Sequence, residues 1–344
     1  MTTTDTTPAG HPPLHPHTAP RRRTPRPLRR TAAAAAVLLL GTGLAVGAAA
    51  PASAADLPDD TVFFADPESQ VAQWVAANPG DDRRPVIEER IAAHAQGIWF
   101  SNYEPETVTQ DVQRVTDAAA QAGEVPALVA YQLPNRDCGG ASAGGAPDIP
   151  AYNAWIDGFA AGLGEDPVLV VLEPDSLALI SCLDDQELAE RNGALARAAG
   201  VIHDANPQAR VYLDAGHSAW NDAEEQAQRL RAAGVTEDAD GIYTNVSNYR
   251  HTDDERAFAT AVLAQLGDPD LRAVVDTSRN GNGPAADGEW CDPAGRAVGE
   301  PPTAATGDAL IDAYLWVKPP GEVDGCAGPA GSFSPDYAYG LATN

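Results

Sequence analysis

Short apolar segments recur along the chain and predict β-strands. Eight of them, three to five residues long, have the β-branched or aromatic content that is typical of buried strands. They are Val62–Phe64, Gly97–Phe100, Ala127–Tyr131, Val168–Leu172, Arg210–Leu213, Gly241–Thr244, Ala273–Val275 and Ala313–Val317. The stretches between them are long enough to hold helices, so the chain has the alternating pattern of an α/β protein.

Amphipathic helices are predicted between these strands. One apolar face ends before Gly123 and another before Gly164, as helices commonly do. The first face consists of Val108, Val112, Val115 and Ala119, and the second of Tyr152, Ile156, Phe159 and Leu163. Further helices are expected over 184–205, 221–233 and 253–266. This alternation in one domain favours a parallel (β/α) barrel, with a doubly wound open sheet as the alternative.

Residues 1–54 have the pattern of a secretory signal. Several arginines precede an apolar run from Ala32 to Ala50, and Ala52-Ser53-Ala54 provides a cleavage site. A membrane anchor is the alternative, but the run is rich in alanine and glycine. We therefore expect a secreted protein, cleaved near Ala54, whose residues 55–344 form one domain, since no linker or repeat follows.

The chain is strongly acidic, with a formal net charge of −27. Such a charge opposes binding to nucleic acid or to an anionic membrane surface, and it favours neutral or cationic ligands. Lys318 is the only lysine in the sequence, which suggests that it has a specific role.

Four cysteines lie in the part that is expected to be exported: Cys138, Cys182, Cys291 and Cys326. An oxidising compartment favours two disulfides. Of the three possible pairings we favour the sequential one, Cys138–Cys182 with Cys291–Cys326. A zinc site is the weaker alternative because there is no C-x-x-C motif and the histidines are scattered, so no metal or cofactor is expected.

Carboxylates follow several of the predicted strands directly. They are Asp137, Glu173, Asp175, Asp214, Asp276, Glu322 and Asp324. In a parallel barrel the carboxyl ends of the strands meet at one mouth, where active sites are built. An acidic chain places many carboxylates in loops in any case, but seven carboxylates at five strand ends favour an acidic cluster in one cleft.

Two motifs carry most of the chemical information. Residues 129–145 read V-A-Y-Q-L-P-N-R-D-C-G-G-A-S-A-G-G, a strand that leads into a small-residue loop held at its base by Cys138. Residues 168–177 read V-L-V-V-L-E-P-D-S-L, a buried strand that leads to Asp175 through a proline-fixed turn. No phosphate-binding G-x-x-x-x-G-K loop is present.

These two motifs resemble the signatures of glycoside hydrolase family 6. The resemblance continues through 212–220, 245–249, 276–281, 290–291 and 316–326, in the family's order and over essentially all of residues 55–344. It implies a distorted seven-stranded parallel barrel with an open substrate groove. It also implies an inverting enzyme that acts on β-1,4-glucan, and a monomer is expected.

The resemblance also implies roles for individual residues. Asp175 is the general acid, and Asp137 and Asp214 are the neighbours that raise its pKa. The catalytic base is either Asp324 or a water chain arranged by Asp137. Tyr131 crowds the sugar at the cleavage point, and Ser142 replaces a hydroxyl that relatives carry where this chain has Ala143.

A glucan groove needs aromatic rings for the flat faces of the sugars and polar groups for their hydroxyls. The resemblance assigns sugar stacking to Trp99, Trp220 and Trp290, and hydroxyl binding to His217, Asn248, Arg279, Lys318 and Glu322. It thereby gives Lys318 its role.

Family 6 includes both endoglucanases with open grooves and cellobiohydrolases with loops that roof a tunnel. Here the segments 139–150 and 290–324 are short, so we expect an open groove and cleavage of internal bonds. An exo-acting enzyme and a non-catalytic glucan-binding protein are the alternatives. A binding protein would not need the carboxylate cluster, which costs electrostatic energy.

Overall fold

The computed structural model describes residues 57–344 and contains one seven-stranded parallel sheet. Its strands are β1 (Ile98–Phe100), β2 (Ala127–Ala130), β3 (Val168–Leu172), β4 (Ala209–Asp214), β5 (Gly241–Thr244), β6 (Arg272–Asp276) and β7 (Ile311–Leu315). Each strand pairs with the next one in the chain, from β1 to β7. The expected seven-stranded barrel architecture is therefore confirmed.

The two edges of the sheet approach each other, so that the sheet curls. The backbone N–H of Gly97, just before β1, donates to the carbonyl of Trp316, just after β7, at 2.8 Å. A Cβ atom at position 97 would lie 2.3 Å from the carbonyl oxygen of Val317, and only glycine permits this approach. The result is a curled half-barrel.

Helices cover the outer face of the sheet. They are α1 (Gln70–Ala77), α2 (Arg84–Ile87), α3 (Val108–Ala122), α4 (Ile149–Ala161), α5 (Asp185–Ala205), α6 (Ala223–Ala232), α7 (Val235–Asp238), α8 (Thr252–Leu266) and α9 (Pro335–Thr343), with a π-helical turn at Glu88–Ala92 and a 3₁₀ turn at Asp137–Gly139. The eight side chains predicted for the two helix faces are all buried. No helix of residues 57–344 is long and apolar enough to cross a membrane.

Alternate side chains of each strand enter two different cores. In β3, Val168, Val170 and Leu172 pack toward the helices, whereas Leu169 and Val171 point into the interior of the curled sheet. Both faces are apolar, which explains the uninterrupted apolar runs in the sequence.

One predicted strand is wrong, and two predicted disulfides are confirmed. Val62–Phe64 makes only an isolated parallel bridge, between Phe63 and Val125, because it meets the chain before β2 and not a strand of the sheet. Both sequential disulfides, Cys138–Cys182 and Cys291–Cys326, are present. The predicted signal segment, 1–54, lies outside the described residues.

Candidate active site

The strand β3 ends in a turn that places two carboxylates in different surroundings. Glu173 and Asp175 both have positive φ, 55° and 66°, with Pro174 between them. Glu173 is buried, and it accepts hydrogen bonds from the backbone N–H groups of Gln132 (2.8 Å) and Leu133 (2.9 Å). Glu173 thus fixes the start of the loop that follows β2, and burial raises its pKa to about 7.

Two further strand-end carboxylates are buried and also hold loops. Asp214, at the end of β4, accepts from the N–H groups of Leu177 (3.0 Å) and Ala178 (2.7 Å), in the segment directly after Asp175. Asp276, at the end of β6, accepts from the N–H groups of Ser278 and Lys318, among others. Burial raises the pKa of both carboxyls. These carboxylates replace the backbone partners that irregular loops lack.

The surroundings of Asp175 favour its protonated form. Burial, together with the negative charges of Asp214 and Asp137, raises the pKa of Asp175 to about 8. A carboxyl group with this pKa holds its proton at neutral pH and is able to donate it. Such a group is what a general acid needs.

Asp137 lies in a tightly held loop. Its carboxylate accepts from the backbone N–H of Ser142 at 2.7 Å, and its neighbour Cys138 is bonded to Cys182, in the loop after β3. Arg136 donates to the carbonyl of Ser142 at 2.9 Å, so both the N–H and the C=O of Ser142 are held. The disulfide joins the loop of Asp137 to the loop that carries Asp175.

Tyr131 lies at the end of β2 between an indole and a guanidinium. Its ring meets Trp99 edge-on, with centroids 5.4 Å apart, and Arg136 lies 4.4 Å from its centroid. Burial, followed by the charges of Asp175 and Asp137, raises the pKa of Tyr131, so it is a neutral phenol. The indole N–H of Trp99 donates to the carbonyl of Val317 at 2.7 Å, which fixes the ring.

Asp324 is the centre of a buried ionic cluster. It accepts from Arg279 at 2.8 Å and from the hydroxyl of Tyr249 at 3.2 Å, and the ammonium group of Lys318 lies at 3.4 Å. Burial alone would raise the pKa of Asp324, but the charges of Arg279 and Lys318 outweigh it and lower the pKa. Asp324 is therefore held ionised and is a weak base.

Glu322 lies beside the same cluster. Gln70 on α1 donates to it at 2.5 Å and also binds the backbone of Gly331 and Phe333. Burial raises the pKa of Glu322 to about 7, although the charge of Lys318 acts in the opposite direction. Glu322 titrates in the neutral range at the edge of the cluster.

His217 and Trp220 form a pair after β4, with ring centroids 5.2 Å apart. Burial, with a contribution from Arg250, lowers the pKa of His217 to about 4. Its Nδ1 accepts from the backbone N–H of Ala219 at 3.2 Å, so the ring proton lies on Nε2. His217 is thus a neutral hydrogen-bond donor.

Three predicted substrate-binding side chains are less enclosed. Asn248 is half-buried, and its amide donates to the carbonyl of Val246 at 3.0 Å. Trp290 is 57 % exposed, and Ser142 is exposed and binds Asp137 through its backbone N–H. An exposed indole is free to stack on a ligand. The contacts of Ser142 hold its backbone and do not fix its hydroxyl group.

Sequence reasoning missed four residues that organise this site. They are Gln70, Arg136, Tyr249 and Asp292. Arg136 and Tyr249 stand inside the quoted motifs, and Asp292 follows Cys291, so their positions were available as signals. Gln70 is far from every motif, and only the folded chain brings it to Glu322.

The site combines the protonated carboxyl of Asp175, the neighbouring loop of Asp137, the buried ionic cluster around Asp324 and the exposed indole of Trp290. These groups are suited to bind a neutral ligand with many hydroxyl groups and to donate a proton to a leaving oxygen atom. Among residues 57–344, no group of three or more His, Cys, Asp or Glu side chains is arranged to hold a metal ion.

Comparison with known proteins gives consistent matches. The family model "Glycosyl hydrolases family 6" matches residues 59–344. Endoglucanase A of Thermobispora bispora is 52% identical over 91% of this chain and 68% of its own length, and Endoglucanase 1 of Streptomyces sp. (strain KSM-9) is 55% identical over 85% and 81%. The solved structure of the endoglucanase Cel6 from Mycobacterium tuberculosis has a TM-score of 0.77 and 40% identity, covering 83% of this chain and 98% of that one.

The family match extends over almost all of the described residues, and the parallel half-barrel and the two disulfides agree with it. The chain belongs to glycosyl hydrolase family 6.

Proposed function

We propose that this chain is a secreted endo-β-1,4-glucanase, which cleaves internal bonds of cellulose-like glucans with inversion at the anomeric carbon. The observation that carries the proposal is Asp175, a carboxyl whose pKa is raised to about 8 beside Asp214 and Asp137. The endoglucanase relatives support the endo mode and the glucan substrate. Two disulfides support export, because they persist in an oxidising compartment.

In the proposed mechanism Asp175 protonates the glycosidic oxygen as the bond to the anomeric carbon breaks. A water molecule attacks that carbon from the opposite face, its proton passes into the water chain arranged by Asp137, and the configuration inverts. Asp214 and Asp137 keep the proton on Asp175 until the substrate arrives. Tyr131, a neutral phenol fixed against Trp99, crowds the sugar at the cleavage point.

The observed contacts favour Asp137 over Asp324 as the group that orients the attacking water. Asp324 is committed to Arg279, Lys318 and Tyr249, and its lowered pKa makes it a poor proton acceptor. Asp137 has a shared loop partner, Ser142, and is not paired with a cation in this way. Asp324 then serves to hold Lys318 toward the sugar hydroxyls, and the completely buried Arg279 fixes Asp324 from behind.

Aromatic and polar side chains along the strand ends are proposed to bind the glucan. Trp99, Trp220 and the exposed Trp290 provide faces for sugar stacking. His217, Asn248, Lys318 and Glu322 are proposed to bind hydroxyl groups, with His217 as a donor through Nε2.

The endo mode is tested by following viscosity and reducing ends together on carboxymethylcellulose. Random internal cleavage should collapse the viscosity while few reducing ends have formed. Early release of cellobiose at nearly constant viscosity would instead indicate an exo-acting enzyme. Proton NMR of the first product tests inversion, since a β-anomer would contradict it.

A further inference from the structure

Asp292 receives an unusual set of hydrogen bonds from a distant segment. Its Oδ1 accepts from the backbone N–H of Asp324 at 2.6 Å, and its Oδ2 accepts from the N–H groups of Cys326 (3.0 Å), Ala327 (2.9 Å) and Gly325 (3.3 Å). In return, the backbone N–H of Asp292 lies 3.4 Å from the carboxylate of Asp324. One carboxylate therefore holds four consecutive N–H groups.

Four converging N–H groups form an anion-binding concavity of the backbone, and here a side chain fills it. Gly325 makes this turn possible, because its φ of 130° is disfavoured for other residues. Hydrogen bonds to an ionised acceptor are the stronger kind. The contact joins the loop after β6 to the loop after β7, more than thirty residues apart in the chain.

The segment that Asp292 holds begins with Asp324, the centre of the buried ionic cluster. The carboxylate of Asp324 binds Arg279 at 2.8 Å and lies 3.4 Å from the ammonium group of Lys318. Arg279 is completely buried and Lys318 nearly so. A shift of Asp324 would therefore change the positions of both cations relative to the groove.

The neighbouring disulfide does not perform the same task. Cys291–Cys326 joins the same two loops, but it fixes position 326, and Gly325 lies between that position and Asp324. Asp292 instead binds the backbone of Asp324 directly.

We propose that Asp292 is a positioning residue for substrate binding: by holding the backbone of 324–327 it fixes Asp324, and through Asp324 it fixes Lys318 against the sugar, with the buried Arg279 behind it. This inference rests on the proposed function, in which Lys318 binds the glucan. Loss of Asp292 should weaken glucan binding more than it slows turnover.

The test measures binding without cleavage, in the acid-deficient background Asp175→Asn. Calorimetric titration with cellohexaose should show that Asp292→Ala weakens binding on the order of tenfold. Asp292→Asn keeps one oxygen acceptor but loses the charge, so it should give a smaller loss. Asp287→Ala is the matched control: it removes the same charge from an exposed residue of the same loop, whose carboxylate binds the N–H of Glu289, and it should leave binding unchanged.

The two Asp292 substitutions in the active enzyme should raise KM while kcat changes little, and Asp287→Ala should change neither. A purely structural role would have another signature: a lower Tm and a smaller active fraction, hence lower kcat, with unchanged KM and unchanged affinity. That result in either Asp292 variant would overturn the proposal. If the Asp175→Asn parent itself failed to bind cellohexaose, the proposed function would fall first, and the inference with it.

Discussion

At the scale of single residues, carboxyl groups of one chemical type have different properties because of their partners. Glu173 and Asp175 are two positions apart, yet Glu173 binds backbone N–H groups whereas Asp175 faces the charges of Asp214 and Asp137. Asp324 is surrounded by cations, and its pKa is lowered. Position along a strand end determines where a carboxyl lies, but its neighbours determine what it does.

Substitution of Asp175 by asparagine tests its assignment as the acid. The amide is nearly isosteric and removes a charge from an acidic group, so the fold and glucan binding should persist. Cleavage of cellulose should fall by about 10²–10⁴-fold, because its leaving alkoxide needs a proton. Cleavage of an activated aryl cellobioside should fall much less, since the phenolate leaves unaided. Equal losses on both substrates, in parallel kcat measurements, would contradict the assignment.

The raised pKa of Asp175 also predicts how turnover and stability should depend on pH in the wild type and in Asp175→Asn. Wild-type turnover of cellulose should decline as the pH rises through about 8, where Asp175 loses its proton. The unfolded chain ionises this group near 3.8, so the folded protein loses stability as the pH rises from there to about 8. Asp175→Asn lacks this loss, and its advantage in Tm over the wild type should grow between those values and then level off. A constant difference would mean that Asp175 titrates normally in the fold.

The sequence was sufficient to predict which carboxyls follow the strands, but not how their hydrogen bonds are divided. The bonds of Glu173 go to a segment some forty residues earlier, and those of Asp292 to one more than thirty residues later. Such partners depend on how neighbouring loops cross, and no local pattern encodes that. Gln70 could not be predicted for the same reason, because it contacts Glu322 from helix α1, some 250 residues earlier in the chain.

At the scale of elements, each disulfide fastens a loop next to a candidate functional carboxylate. Cys138–Cys182 ties the loop of Asp137 to the segment after Asp175, and Cys291–Cys326 ties the loops after β6 and β7. The second connection is doubled by Asp292, whereas Asp137 and Arg136 contact Ser142 within their own loop. We therefore expect the alignment of Asp137 with Asp175 to depend more on Cys138–Cys182 than the position of Asp324 depends on Cys291–Cys326.

Removing the disulfides separately should reveal this difference. Their sequence separations are 44 and 35 residues, so the chain-entropy model gives stabilities that differ by only about 0.2 kcal/mol. The double variant Cys138→Ser, Cys182→Ser should lower kcat by about tenfold or more at temperatures where it is folded, because Asp137 and Asp175 lose their alignment. Cys291→Ser, Cys326→Ser, with a similar loss of Tm, is the matched control and should keep most of its turnover. Equal losses of kcat would show that the effect is one of general stability.

Elements were predicted well where their pattern was long, and poorly where a short run had no sheet neighbour. The face of Val108, Val112, Val115 and Ala119 is buried in α3, which ends at Gly123 in the left-handed conformation. Val62–Phe64 has the composition of a strand but pairs at one position only. Strand formation requires a partner, and the sequence of three residues does not contain that information.

At the scale of the whole molecule, an open half-barrel is combined with a large negative charge. The formal net charge of the full chain is −27, and the arginine-rich segment 21–30 contributes positive charge to that sum. The described domain is therefore more acidic than the complete sequence. A field of this sign repels polyanions over distances that depend on the salt concentration.

The last prediction compares a charged with a neutral glucan at different ionic strengths. Raising the salt concentration from about 0.01 M to about 0.15 M shortens the Debye length from about 30 Å to about 8 Å, so repulsion between the acidic domain and carboxymethylcellulose is screened. The kcat/KM for carboxymethylcellulose should therefore rise several-fold. Hydroxyethylcellulose is the neutral control, and its kcat/KM should not change, because no long-range attraction or repulsion acts on it. If kcat/KM rose equally for both polymers, the salt would be acting on the stability of the fold or on the groove and not on long-range repulsion. A fall on carboxymethylcellulose alone would mean that Lys318 and Arg279 attract the polyanion more strongly than the whole domain repels it.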